Sequence, residues 1–134
     1  ELELKSGSSN ALWDIATTLA AEVPLRPSDS SKAARGSALG RQHWPLPEAH
    51  TPSEWLHRAT LALDAFHDSR QAEFLTTAFD ALEALAAHPA LDDSAQQLAQ
   101  TLPQALKQNG QPNTAYGSAA LPLARRLAEP TALR

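Results

Sequence analysis

Apolar residues return every three or four positions through most of this chain, most regularly between Thr51 and His88. Trp55, Leu56, Ala59, Ala62, Leu63 and Phe66 define one helical stripe, with Glu54, Arg58, Asp64 and Asp68 opposite. Phe74, Leu75, Ala78, Phe79, Leu82, Leu85 and Ala86 repeat the pattern. The first stripe opens with Thr51-Pro52-Ser53-Glu54, which offers a capping hydroxyl, a proline suited to the first helical position and a glutamate able to reach back to the cap. The second opens with Asp68-Ser69-Arg70-Gln71, read as an acidic cap with a glutamine three residues on, and stops at His88-Pro89. So short a connection predicts an antiparallel helical hairpin.

Around it the same reasoning places further helices. Leu12, Ile15, Ala16, Leu19 and Val23 form a stripe capped by Ser9 or Asn10 and broken at Pro24; it is expected to dock on the hairpin, with Trp13 at its edge. Ala95, Leu98, Leu102 and Leu106 form another behind Asp92 or Asp93, closing at Asn109-Gly110, with Pro103 expected to kink or split it. A last helix is expected from Ser118, carrying Leu121, Ala124, Leu127 and Ala128 and ending at Pro130. Residues 24–50 hold Pro24, Pro27, Gly36, Gly40, Pro45 and Pro47 and read as a long irregular loop, with room for a short helix after Asp29-Ser30-Ser31-Lys32. Glu1-Leu2-Glu3-Leu4-Lys5 alternates like a strand before Ser6-Gly7-Ser8-Ser9, so residues 1–9 read as a flexible strand or linker and 10–134 as one helical domain.

Composition narrows this to an all-α fold. Among 134 residues there are 27 alanines and 21 leucines against one isoleucine and one valine, so sheet-favouring residues are nearly absent. The expectation is a single compact bundle of four to five helices built around the hairpin and packed closely on small side chains. Cysteine is absent, which removes disulfides, thiolate nucleophiles and cysteine-bound metals. No apolar run approaches the roughly 18 residues a membrane helix needs, so no membrane insertion is expected. Methionine is absent even at position one, which suggests trimming from a longer chain.

Charge is divided along the chain. Residues 51–107 hold eight acidic and three basic side chains, whereas 24–50 hold four basic and two acidic ones. A net charge of −4 argues against a nucleic-acid partner, since phosphate backbones reward clustered lysine and arginine.

Patterns able to carry chemistry are sparse in this chain. Glu54 with His57, or Asp64 with His67 or Asp68, supplies two ligands where a zinc site needs at least three, so no metal and no cofactor is expected. Asp64 and Asp68 read as neighbours on an exposed face, not as acids across a cleft, and Gly36-Ser37-Ala38-Leu39-Gly40 lacks a phosphate-loop lysine. No enzyme is indicated. The candidate partner-binding residues are Arg26, Lys32, Arg35, Arg41, His43 and Trp44 in the loop, since arginine beside an aromatic is the chemistry of interface anchors and carboxylate recognition. The plainer alternative is that they fold back on the acidic hairpin. The sequence therefore predicts a noncatalytic helical protein-interaction module, part of a larger bacterial-type protein or assembly, engaging a protein partner or a second copy. The alternatives are an accessory subunit of an enzyme complex released from a longer precursor, or a small apolar-ligand carrier. Nothing fixes the compartment beyond a soluble chain, with a cytoplasmic setting on balance.

Overall fold

Among the described residues the regular structure is helical. A computed structural model describes residues 9–24, 26, 28 and 32–128. In chain order the helices are α1 (Ser9–Glu22), α2 (Lys32–Arg41), α3 (Pro52–Ser69), α4 (Ala72–Ala86), α5 (Asp93–Gln104) and α6 (Thr114–Ala128). Six helices thus stand among the described residues where four to five were expected. An isolated antiparallel bridge joins Leu106 to Pro112.

α3 begins as its sequence dictates. Thr51 Oγ1 accepts from the Glu54 N–H at 3.2 Å, and Glu54 Oε1 accepts from the Thr51 and His50 N–H groups at 3.0 and 3.1 Å. Three amides near a helix start are satisfied by two side chains. α3 and α4 make the most extensive helix pair, and the turn between them is set by Arg70. Arg70 sits in the left-handed region at φ 61° and donates its N–H to the Phe66 carbonyl at 2.8 Å. Asp68 does not cap α4: it lies inside α3, and Gln71 takes the N-cap position without a side-chain hydrogen bond. The expected capping failed because Asp68 has a stronger, charged partner elsewhere in the chain.

The core gathers residues from α3, α4, α5 and α6. Leu63, Leu82, Leu85, Leu102, Leu123 and Tyr116 are its largest buried apolar side chains, each worth roughly 1.5–3 kcal/mol of burial. Between them lie Ala59, Ala62, Ala78, Ala81, Ala95, Ala99, Ala105, Ala119 and Ala120, so helices approach closely on methyl groups. Phe66, Phe74 and Phe79, which the hairpin stripes carry, are half-buried. The turn after α5 closes on the hairpin at Gly110. Its φ is +82°, and a Cβ there would lie 2.8 Å from Phe66 Cε2, so both the backbone and the contact require glycine.

The outer helices depart from expectation. α1 packs along α6 and not on the hairpin: Ala16 and Ala20 are buried, and Ser118 Oγ donates to the Ala20 carbonyl at 3.2 Å. Trp13 is half-buried. α2 runs straight through Gly36 and Gly40, where added Cβ atoms would meet nothing within 4 Å; it ends at Gln42, whose φ is 53°. Glycine here is a tolerated cost of about 1 kcal/mol, not a stop. Asp92 caps α5 by accepting from the Ala95 N–H at 2.8 Å, but the helix closes at Gln104, so Pro103 sits in its last turn and does not split it into two helices. α6 starts a turn earlier than Ser118, where Asn113 Oδ1 accepts from the Ala115 N–H at 2.9 Å, which leaves Pro122 within the helix. Residues 1–8, the body of the expected linker, and Asp29-Ser30-Ser31 lie outside the described residues, and Ser9 already belongs to α1.

Candidate functional site

The six residues singled out in the sequence divide into two groups. Arg26 and Arg35 spend their guanidinium groups within the chain. Arg26 Nη1 meets Asp64 Oδ1 at 2.5 Å, and Ser28 Oγ donates to Asp64 Oδ2 at 2.9 Å. One turn further along α3, Arg35 forks onto Asp68, with Nε to Oδ2 at 2.9 Å and Nη2 to Oδ1 at 2.7 Å. The fork holds the Asp68 carboxyl below the usual carboxylate range, because hydrogen bonding to Arg35 outweighs partial burial.

This layer corrects the reading of Asp64 as exposed. Asp64 is 2% exposed, because the chain before α2 lies across the face that the helical wheel assigned to solvent. An aspartate so deep in a fold needs paired charge and hydrogen bonds, and Arg26 with Ser28 supplies both. Trp44 is likewise turned inward: it is half-buried and meets Phe74 edge-on, with centroids 5.9 Å apart and planes at 66°. Its indole nitrogen is buried and has no acceptor among the described residues. Lys32, Arg41 and His43 remain exposed. Lys32 and Arg41 mark opposite ends of α2, about 13 Å apart at 1.5 Å per residue, so these cations do not converge.

One histidine and two further acids are similarly engaged within the fold. Glu54 caps α3, and its carboxyl is held below the ordinary value by the Thr51 and His50 amides. His88 Nε2 lies 2.8 Å from the His50 carbonyl while His88 Nδ1 accepts from the Ala90 N–H at 3.1 Å, which places the ring proton on Nε2 and ties the end of α4 to the start of α3. Asp92 is lowered first by the Ala95 amide and then by Arg126, whose Nη2 reaches it at 2.5 Å. Among the described residues, no three histidine or carboxylate side chains converge on a metal position, and no helix is long and apolar enough to cross a membrane.

Two other surfaces were not singled out. The first is an open groove of about 500 Å³ lined by Glu48, His50, Trp55, Arg58, Thr77 and Asp80. Its shape depends on Arg58, which donates to the Pro47 carbonyl at 2.7 Å and holds the incoming chain on α3. Four ionisable side chains in the lining make it a poor host for an apolar ligand. The second is α1. At about 100° per residue its apolar arc runs from Ile15 round to Ala20, some 140° in all, and α6 covers only the alanine side. Ile15, Leu19 and Val23 are left 52%, 37% and 44% exposed. That signal was in the sequence: the stripe was legible, but not which part of it α6 would cover. No protein-family model, characterised protein or solved structure matches this chain.

Proposed function

We propose that this chain is a noncatalytic helical interaction module, one domain organised around the α3–α4 hairpin within a larger protein or assembly, and that it binds through α1. The supporting observation is the uncovered half of this stripe, Ile15 and Leu19 on α1 and Val23 just past its end, each one turn from the next. Isolated apolar side chains are ordinary on a surface, whereas a row of them along a helix is a docking face.

The charge around the row selects the occupant. The described part of α1 carries Asp14 and Glu22 and no basic residue, and Glu22 falls about 20° beyond Ile15, at the edge of the row. A second copy would bring like charges together. An amphipathic helix with an apolar row flanked by lysine or arginine complements both features.

Titration calorimetry with a basic amphipathic helical peptide, alongside an acidic peptide of the same apolar row, tests this. The basic peptide is expected to bind, and Leu19→Lys to weaken it by more than about tenfold, or 1.4 kcal/mol, without loss of fold. Equal binding of both peptides, or none, overturns the reading. A concentration-dependent dimer in sedimentation that Leu19→Lys abolishes would replace the partner helix with a second copy.

A further inference from the structure

Of the ten residues of α2, only Arg35 and Ala38 are even partly buried, and none is fully buried. Among the described helices it touches α3 alone. Gly36 and Gly40 weaken it internally, and neither sits where a side chain would collide. A ten-residue helix of this composition does not hold itself together in water, so what keeps it formed is its attachment.

That attachment is polar in the middle and firm at both ends. Before α2, Arg26 and Ser28 grip the buried Asp64; after it, Trp44 packs on Phe74. Between these anchors stands the Arg35–Asp68 fork, with side chains 30% and 10% exposed. Asp68 lies in the last turn of α3, where the helix carbonyls already concentrate negative charge, so the guanidinium offsets the carboxylate and the helix end together.

We propose that α2 is a strap that lifts from α3 as a unit, with Arg26–Asp64 and Trp44–Phe74 as its fixed ends and the Arg35–Asp68 fork as its latch. Lifting uncovers the Asp68 carboxylate at the C-terminal end of α3 without disturbing the alanine-packed core. The strap is thus a gate over that end, and its closing strength is ionic. This inference is independent of the binding role given to α1.

Hydrogen exchange of the full chain, followed by mass spectrometry, tests it. Peptides spanning 32–41 are expected to exchange through local opening, far faster than peptides from α4 and α5. Arg35→Ala should accelerate the 32–41 peptides by about fivefold, as losing a partly exposed pair implies, and leave α4 and α5 unchanged. Exchanging the charges, Arg35→Asp with Asp68→Arg, should recover part of the lost protection. The strap is overturned if 32–41 exchanges at the same rate as α4, or if Arg35→Ala accelerates both alike.

Discussion

α1 and α2 are both appended to the same group of four helices, and they are attached by opposite means. α1 docks on α6 through the methyl groups of Ala16 and Ala20 and leaves large apolar side chains outside. α2 docks on α3 through a guanidinium fork and buries no residue. Apolar contact is insensitive to salt and carries no specificity for charge, so α1 is fixed and offers a surface. An ionic latch is screened and competed for, so α2 is conditional and offers a movement. The contrast teaches that the share of apolar side chains in a helix does not say which of them the fold will use.

The largest expected effect probes the anchor beside the strap. Arg26→Ala removes the guanidinium from the buried Asp64 carboxylate and should cost about 3–5 kcal/mol in urea unfolding, as breaking one side of a buried pair does. A loss below about 1 kcal/mol would place Arg26 with the exposed pairs and erase the distinction between anchor and latch.

Next comes the α1 interface. Ala20→Leu forces a larger side chain between α1 and α6, where Ala20 is fully buried, and should destabilise by about 1–3 kcal/mol. Ile15→Ala, on the uncovered side, should change stability by no more than about 0.5 kcal/mol. If the two substitutions cost the same, the division of α1 into a docked and a free side is wrong.

The smallest effect belongs to the latch. Arg35→Ala should cost about 1 kcal/mol or less, and the loss should vanish in acid. Asp68 has a lowered folded value, so its pairing contributes fully above the ordinary aspartate range and is lost as pH falls through that range toward the folded value. Wild type and Arg35→Ala should therefore converge in stability as acid is added. A difference that persists after Asp68 is protonated would assign the effect of Arg35 to packing.

What the sequence revealed was local. The Thr51–Glu54 capping box and the Asp92 cap lie within one turn of the amides they serve, so residue type and spacing were enough to find them. What it hid was long-range. Arg26 stands 38 residues from Asp64, and helical periodicity alone sent that aspartate to solvent. Asp68 was read as a cap for α4, but the plainer expectation, that the loop cations fold back on the acidic hairpin, is the one Arg35 meets there, 33 residues away. Gly36 and Gly40 were read as breaks, although a glycine weakens a helix without ending it. Of the candidate binding residues, the pattern of arginine with tryptophan was real, but Arg35 and Trp44 use that chemistry on Asp68 and Phe74 of the same chain. The uncovered row on α1 was written in the sequence as a stripe, and only the position of α6 distinguishes its free half from its docked half.

The opposition between the two outer helices is tested most directly by hydrogen exchange of the intact chain at low salt and in about 1 M NaCl, where the screening length falls to about 3 Å. The 32–41 peptides should lose protection at high salt while peptides from α1, residues 11–22, keep or gain it, since apolar docking is not screened. If both helices lose protection together, or if α2 is indifferent to salt, the account of one apolar and one ionic attachment is contradicted.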